Sequence, residues 1–569
     1  MQYICILSLV NYLIYSIKED MVLRKILIAM TLLLVLTIGA NPLIVPQSAS
    51  AAVTTIYVDI NVSGGLDNGS SWSNAFNTLQ DGVNNATSGD EIWVAQGTYK
   101  PSAWPNTSNY TAPREMHFSM KNGVGIYGGF DGTETQRDER DWENNTTTLS
   151  GDIGTVGDTS DNCYHVFYHP NSTNLDSSAI LDGFTITAGN ADGVSISFRN
   201  GAGMYMYNYP LSPPTINNCS FSGNSANLTG GGIYCRYSTL TLTNCSFSGN
   251  SANSGVGIYC PYSTLTLTNC SFSGNSANND GGGINCQDST LTLTNCSFSG
   301  NSATDNGGGI YNYAYSDEEF PVTLNCTLTN CSFSGNSASD NGGGIENYAY
   351  SEDGDSVTLN CMLTNCSFAG NSADDDGGGI KNYAEADPNP PTLNCTMWNC
   401  ILWGDYADDA GNEIYSYSDG AEANVTSYYC DIEGSGGSGA GWDSSLGTDG
   451  GNNIDVDPVF AAEPDPASAP TTNGNLHLQA GSPCIDMGNN IAVAEVSTDF
   501  EGDPRIIDGD GDGTAIVDIG ADEFMEEARP VGGEAQPINA SIVLAPLLGL
   551  LAVTIAGSTI ALRRRRYHS

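Results

Sequence analysis

The chain has 569 residues, of which 17 are basic and 64 acidic, so its formal net charge at pH 7 is −47. This charge excludes non-specific binding to nucleic acid, because a phosphate backbone requires basic groups on its partner. The 67 glycines predict many tight turns, which excludes an all-helical protein.

The N-terminal region has the pattern of a secretion signal. Arg24 opens a charged head, an apolar stretch follows over 26–38, and the small residues 49–51 fit a cleavage site. We assign residues 1–51 to this signal region and expect export. Met21 is the preferred start of translation, and an extended signal is the alternative.

Residues 52–160 are interpreted as an N-terminal cap followed by the first coils of a solenoid. Apolar residues recur at helical spacing over 73–87, which predicts an amphipathic capping helix. The first strand is predicted at residues 91–95. Such a cap is needed because an open solenoid end exposes unpaired strand edges.

The middle of the chain, residues 161–430, contains a repeat. Asn-Cys-Ser-Phe-Ser-Gly-Asn-Ser-Ala is followed by a glycine run and Ile, and the phenylalanines are spaced 26, 25, 26, 35 and 35 residues apart. The longer copies carry nine extra residues, all between the Ile and the next Phe, which predicts loops leaving one corner of a solenoid. The phenylalanines are Phe221, Phe247, Phe272, Phe298, Phe333 and Phe368.

The pattern within each copy predicts a right-handed parallel β-helix. Residues 239–243 alternate apolar and polar side chains, as a half-buried strand does. Three short strands and three turns fill each copy, and equivalent residues should stack in ladders at about 4.8 Å. The asparagines 224, 250, 275, 301, 336 and 371 are expected to form hydrogen bonds along one corner and to adopt left-handed backbone geometry there.

Cysteines also recur at fixed places in the coils, seven of them at the position of Cys219. We predict that they are reduced and fill the core as small apolar side chains. Disulfides between adjacent coils are the alternative, because they persist outside the cell.

These motifs resemble known families. Phe-Ser-Gly-Asn paired with Gly-Gly-Gly-Ile resembles the repeats of polymorphic outer-membrane proteins and related β-helix surface proteins, which implies a cell-surface location. Residues 482–486, 503–505 and 517–523 resemble the choice-of-anchor Q domain, although Asp522 stands where that family usually has Tyr. We assign residues 431–525 to such a C-terminal capping module.

The C-terminal region is predicted to anchor the protein. After a linker at 526–539, residues 540–562 carry no charge and are long enough to cross a bilayer, and 563–569 form a basic, cytoplasmic tail. This tail resembles the C-terminal sorting signals of prokaryotic surface proteins. The predicted fold class is thus all-β, a pectate-lyase-like right-handed parallel β-helix with an N-terminal capping helix and a C-terminal transmembrane helix.

One acidic segment resembles the start of a calcium loop. Its candidate ligands are Asp508, Asp510, Asp512, Thr514 and Asp518, because carboxylates at alternate positions favour a shared cation. An EF-hand would need Glu at its twelfth position, one residue beyond Asp518. A solvated acidic turn is the alternative.

The long copies carry acidic insertions at 317–319 and 352–355 and a further acidic run at 374–376, predicted to be solvated. Tyrosines line the same insertions, and exposed aromatic side chains favour carbohydrate contacts.

Taken together, the sequence favours a surface-anchored, non-catalytic adhesin or structural envelope protein. Its expected partners are the membrane and carbohydrate or other envelope components, with no nucleic acid and no cofactor other than calcium. The alternative is a lyase or hydrolase of acidic polysaccharide, but a lyase needs basic groups, and between residues 201 and 430 there are only Arg236 and Lys381.

Overall fold

The computed structural model describes residues 54–102, 112–170, 173–207, 213–316, 321–352, 356–387, 390–494 and 496–525. The chain divides into two compact units, Met1–Thr290 and Leu291–Ser569. The predicted signal region, linker, transmembrane segment and basic tail lie outside the described residues, as do 317–319 and 353–355 of the acidic insertions. Within the described ranges, no helix is long and apolar enough to cross a membrane.

Helix α1, Leu79–Asn85, is the one α-helix in the described part of the chain. It begins after Thr78, whose side-chain oxygen accepts a hydrogen bond from the backbone N–H of Asp81. Leu79 and Val83 are buried on its inner face, which packs on the first two strands. This face shields apolar side chains at the start of the first unit.

The N-terminal prediction needs two corrections. The helix predicted over 73–87 is too long, because Phe76 is extended and donates its N–H to the Tyr57 carbonyl oxygen at 2.9 Å. The strand predicted first, Glu91–Ala95, has the expected bounds but is second, since Thr55–Val58 pairs with it in parallel.

Each coil of the repeat contributes to four sheets rather than the three predicted, because a two-residue Ser-Ala strand lies between two longer ones. We number the sheets in chain order, so that residues 239–243, 246–248, 251–252 and 258–261 belong to the first, second, third and fourth sheet. Two residues are too few to show the alternation from which the other strands were predicted.

The strands of the first unit follow sheet by sheet. The first sheet holds Thr55–Val58, Glu91–Ala95, Gly125–Phe130, Ile180–Asp182, Thr215–Asn217, Thr239–Thr243 and Thr264–Thr268. The second holds Gly97–Tyr99, Thr147–Ser150, Thr185–Thr187, Ser220–Ser222, Ser246–Ser248 and Ser271–Ser273. The third holds Asn190–Ala191, Ser225–Ala226, Ser251–Ala252 and Ser276–Ala277. The fourth holds Phe167–His169, Met204–Tyr207, Ile233–Arg236, Ile258–Pro261 and Ile284–Gln287.

The second unit has the same four-sheet plan. Its first sheet holds Val322–Thr329, Val357–Thr364, Thr392–Trp398, Glu422–Tyr428 and Thr448–Gly451; Thr290–Thr294 straddles the division between the units. Its second holds Ser297–Ser299, Ser332–Ser334, Ser367–Ala369, Ile401–Trp403 and Asp431–Ile432. Its third holds Ser302–Ala303, Ser337–Ala338, Ser372–Ala373 and Tyr406–Ala407, and its fourth Ile310–Ser316, Ile345–Glu352, Ile380–Asp387 and Ile414–Asp419. An antiparallel pair, Phe460–Ala462 with Asn475–Leu478, follows.

Short 3-10 turns complete the two units. They are Trp72–Asn74, Pro113–Glu115, Arg137–Glu139, Thr159–Asp161, Ile196–Arg199, Ser444–Leu446 and Pro466–Ser468.

The phenylalanine ladder confirms the predicted stacking. In the first unit Phe221, Phe247 and Phe272 are in register, with ring centroids 5.0 and 4.7 Å apart and ring planes within 4° of parallel. The second unit repeats this arrangement at 4.7 and 4.5 Å. All six side chains are fully buried, so each coil contributes the same ring to the interior.

The asparagine prediction is half confirmed. Asn336 donates from Nδ2 to Asn371 Oδ1 at 2.8 Å, and buried rungs in both units repeat this bond. The left-handed backbone, however, belongs to the asparagine before each cysteine, such as Asn330 with φ of 52°, and to the glycine before each ladder asparagine, such as Gly335. The ladder asparagines are thus held by side-chain bonds and not by left-handed geometry.

The glycine runs permit close approach of neighbouring coils. A Cβ atom on Gly344 would lie 2.5 Å from the carbonyl oxygen of Gly379 in the next coil. At Gly342 the reason differs, because its φ of 64° favours a residue without a side chain.

The nine-residue insertions lengthen the strands at one corner. Short coils have four residues in the fourth sheet, as in Ile233–Arg236, whereas the long coil beginning at Ile310–Ser316 has seven. The following first-sheet strand grows from the five residues of Thr239–Thr243 to the eight of Val322–Thr329. The insertions therefore leave from one corner, as predicted, but much of each is strand.

Every cysteine in the described ranges is buried, and no disulfide joins any two of them. Cys326, Cys361 and Cys395 occupy the inward place that Leu240 holds in short coils, and they are aligned across adjacent strands. Burial raises the pKa of Cys219 to about 12, so this thiol stays protonated.

The C-terminal module begins after residue 431, the predicted boundary, and its position also differs from the predicted cover at the end of the β-helix. Residues of the segment 431–451 still form strands of the first and second sheets, so we define the closing module as residues 455–525. It does not simply cover an end. Instead it runs along the second sheet, where Asn330 donates to the Thr498 carbonyl oxygen at 2.7 Å and Gly520 donates to that of Asn399 at 2.8 Å.

A buried arginine organises the closing module. Arg505 is 1% exposed and donates to the carbonyl oxygens of Gly520 and Ala521, the latter at 2.9 Å. Its guanidinium lies 3.8 Å from the Glu523 carboxylate, yet burial raises the pKa of Glu523 to about 8. The arginine therefore joins the turn at residues 520–521 to the interior of the closing module through those carbonyl groups.

Candidate functional site

The tyrosines of the long coils form stacked rows on the fourth sheet. Tyr313 stacks on Tyr348 at 5.3 Å between ring centroids, and Tyr315 stacks on Tyr350 at 5.6 Å with planes 3° apart. Because ring faces cover one another, the surface offers ring edges and hydroxyl groups rather than free faces. We therefore expect hydrogen bonding, and not ring stacking, to dominate any carbohydrate contact here.

Carboxylates accompany these hydroxyl groups. Tyr315 donates to Glu352 Oε2 at 2.7 Å, and Tyr348 donates to Glu385 Oε2 at 3.0 Å. Burial raises the pKa of Tyr383 to about 12, and the nearby Glu385 carboxylate contributes to this rise. The row is thus a polar, anionic surface at neutral pH.

The two basic residues noted in the sequence are both engaged. The Arg236 guanidinium lies 4.8 Å from the ring centroid of Tyr237, and Lys381 Nζ lies 3.6 Å from Asp376 Oδ2. Asp376 belongs to the predicted solvated run 374–376, so that run includes one ion pair.

The predicted calcium ligands are only partly brought together. One carboxylate oxygen each from Asp508, Asp510 and Asp486 lies within 4.8 Å of the others. Asp508 and Asp510 are exposed, whereas Asp486 is buried and accepts a hydrogen bond from the Asp510 N–H at 2.7 Å. Asp486 was missed because it lies in a motif interpreted as a family marker.

The other predicted ligands have different roles. The Asp512 carboxylate accepts the N–H of Thr514 at 2.8 Å, while the Asp512 N–H donates to Asp510 Oδ1 at 2.9 Å. Asp518 is buried, and its two oxygens accept the N–H groups of Asp486 and Phe524, each at 2.7 Å. Burial raises the pKa of Asp518 to about 7. The structure thus places the carboxylates of Asp512 and Asp518 outside the group formed by Asp486, Asp508 and Asp510.

A second cluster was not foreseen from the sequence. A cleft of about 280 Å³ lies between the closing module and the second sheet, and His477, Glu501 and Asp522 line it beside Phe500. His477 Nε2 lies 2.9 Å from Glu501 Oε1, and this contact raises the pKa of the imidazole to about 9. Burial raises the pKa of Asp522 to about 6. These residues follow no short spacing, so no motif marks them.

Two family models match parts of the repeat region. Residues 161–330 match the family model described as right handed beta helix region, and 330–348 match the Chlamydia polymorphic membrane protein repeat. The chain is a right-handed β-helix repeat protein. No curated protein matches it. Among solved structures, it is similar to the crystal structure of pectate lyase Pel9A, with 14% identity, a TM-score of 0.38, and coverage of 84% of this chain and 98% of that one.

One coil of this β-helix interrupts the asparagine ladder. Asp405 takes the place that asparagine holds in preceding coils, and its Oδ1 accepts the N–H and the Nδ2–H of Asn371 at 2.7 and 2.8 Å. Glu413 lies beside it, since its Oε1 accepts the Asp405 N–H at 3.2 Å. Both side chains are buried.

The two acids have one oxygen each without a donor. Asp405 Oδ2 and Glu413 Oε2 are buried and find no hydrogen-bond donor in the described ranges. Where the ladder residue is asparagine, its Nδ2 donates to a carbonyl oxygen of another coil, as Asn371 does to Phe333 at 3.0 Å. Asp405 can donate only when protonated, and burial raises its pKa to about 7 and that of Glu413 as well. The pair is therefore a buried proton-binding group.

Proposed function

We propose that this protein is a cell-surface β-helix that acts without catalysis, as an adhesin or as a structural component of the envelope. The observation that carries the proposal is the ladder organisation. Successive coils present the same hydroxyl and amide groups at exposed positions, so the long sides form repetitive surfaces suited to extended partners. The match of residues 330–348 to a repeat named after a membrane protein supports the location.

In this proposal, the two terminal segments determine the cellular location of the protein. The signal at 1–51 exports the protein, and the apolar span at 540–562 with its basic tail retains it at the membrane. The motifs of the closing module support its assignment as a choice-of-anchor Q domain. The C-terminal segment then serves as a sorting signal or a permanent anchor.

The proposed ligand is carbohydrate, bound along the tyrosine rows of the fourth sheet. The tyrosine hydroxyls and their carboxylate partners would accept and donate hydrogen bonds to sugar hydroxyl groups. A neutral or cationic glycan suits this surface, because its carboxylates repel acidic polymers.

A glycan array probed with the full-length chain in detergent tests this function. Binding of neutral glycans is expected, and the double variant Tyr315→Phe, Tyr348→Phe should weaken it about tenfold by removing two hydrogen-bonding hydroxyls. Tyr428→Phe, on the first sheet of the same unit, is the matched control and should bind as the parent does.

A reducing-end assay on the same polysaccharides separates binding from turnover. Binding without release of new reducing ends supports the adhesive or structural role. Release from acidic polysaccharide would instead establish the alternative, a lyase or hydrolase, and would contradict the non-catalytic proposal.

We also propose that calcium binds at Asp486, Asp508 and Asp510. Three clustered carboxylates repel one another unless a cation joins them, and oxygen donors suit calcium. Calcium is expected to raise the thermal midpoint of the closing module, as measured by differential scanning calorimetry. The variant Asp510→Asn should abolish the shift, whereas Asp512→Asn should retain it. An equal midpoint with calcium and with chelator would leave only a solvated acidic turn.

A further inference from the structure

We propose that His477, Glu501 and Asp522 of the closing module form a binding site for a transition-metal ion such as Zn²⁺. The site is separate from the carboxylate group at Asp486. It is independent of any adhesive role, since it uses neither the tyrosine rows nor the repeated surfaces.

The donor set carries the choice of metal. One ligand atom from each of the three residues lies within 4.8 Å of the other two, and His477 Nε2 is 2.9 Å from Glu501 Oε1. One imidazole nitrogen with two carboxylate oxygens suits zinc and its neighbours in the transition series. Calcium and magnesium prefer oxygen ligands alone, so the imidazole disfavours them.

Neighbouring groups already orient two of these ligands. His477 Nδ1 forms a hydrogen bond with Asn475 Oδ1, which directs Nε2 towards the two carboxylates. The Leu478 N–H donates to Asp522 Oδ2 at 2.8 Å and fixes that carboxylate. Contacts of this kind around a metal ligand set its tautomer and direction, and they commonly change affinity by 10- to 100-fold.

The cleft gives an ion access and room for further ligands. Side chains of His477 and Glu501 are 48% and 31% exposed, so an ion can enter from solvent. The cleft of about 280 Å³ leaves space for water to complete the coordination shell. The ion would join strand Asn475–Leu478 to two other segments of the closing module.

The test is calorimetric titration of the full-length chain, purified in detergent and dialysed against chelator, with zinc chloride. One saturable zinc site is expected, with no competition from excess calcium. His477→Gln should lower zinc affinity at least tenfold. Asp457→Asn is the matched control, because it changes an exposed acid of the closing module that belongs to neither proposed cation site, and it should leave zinc affinity unchanged.

Cobalt provides a readout that a simple His–Glu ion pair would not give. The visible absorption of bound Co²⁺ should appear in the parent and in Asp457→Asn and be absent from His477→Gln. Equal denaturation midpoints for the variants show that all are folded, and Glu501→Gln replaces His477→Gln if the latter is not. The proposal would be overturned if His477→Gln and Glu501→Gln both bound zinc as tightly as the parent. It would also be overturned if the parent showed no saturable zinc binding.

Discussion

Replacing Phe333 by alanine is expected to lower the free energy of unfolding of the second unit by about 3–5 kcal/mol. The ring is fully buried and stacks on Phe298 and Phe368 at 4.7 and 4.5 Å. Its removal loses apolar burial and opens a cavity that rigid neighbouring coils cannot close. Two stacking contacts are lost with one side chain, which places the cost towards the upper end of the range.

Chemical denaturation with a circular-dichroism signal measures this effect on the full-length chain. Phe333→Leu is the matched control and should cost clearly less, because it preserves most of the buried volume. Tyr406→Ala, an exposed site on the third sheet, should change stability by less than about 0.5 kcal/mol. An unfolding free energy for Phe333→Ala within that margin of the parent would contradict the ladder as the main source of stability.

Stability should also fall as pH rises, through the buried pair Asp405 and Glu413. The folded state holds a proton near Asp405 up to about pH 7, whereas the unfolded chain releases it near pH 4. Between these values the folded state binds more protons, so the free energy of unfolding decreases with increasing pH. A shift of about three pKa units corresponds to a loss of up to about 4 kcal/mol.

Asp405→Asn should remove most of this loss. The amide continues the ladder: its Oδ1 can accept from Asn371, and its Nδ2 can donate as the other rungs do. Denaturation between pH 5 and pH 8 should therefore show the variant gaining stability over the parent as pH rises. Asp409→Asn changes an exposed acid of the same coil and should follow the parent curve. Parallel curves for the parent and Asp405→Asn would show that the pair is ionised without penalty.

The coil architecture was predictable because each repeat encodes one coil. The spacing from Phe to Ile and the alternation in Thr239–Thr243 contain the information for register, interior and strand direction. Asp405 could also have been found, since it falls at the ladder position in the coil after Asn371. No other coil in the described part of the chain has an acidic residue that plays the part of Glu413. The contact between Glu413 and Asp405 is therefore visible only in the structure.

Contacts between distant segments could not be predicted in this way. His477, Glu501 and Asp522 come from three separate segments with no shared period, and only the folded closing module brings them together. Asp486 joins Asp508 and Asp510 for the same reason. The position of the closing module along the second sheet depends on contacts such as Asn330 with Thr498, which no local pattern records.

The packing of the closing module along the second sheet limits how the number of coils can change in evolution. Within the second unit the closing module packs on successive coils, next to Gly300, Gly335, Gly370 and Gly404. Adding or removing one of these coils would break those contacts, so the number and order of these coils are fixed. In the near-identical coils of the first unit, the corresponding positions Gly249 and Gly274 are open, since a Cβ atom there would meet nothing within 4 Å. Unequal recombination between repeats could therefore add or delete whole coils there, and length variants should differ in this segment alone.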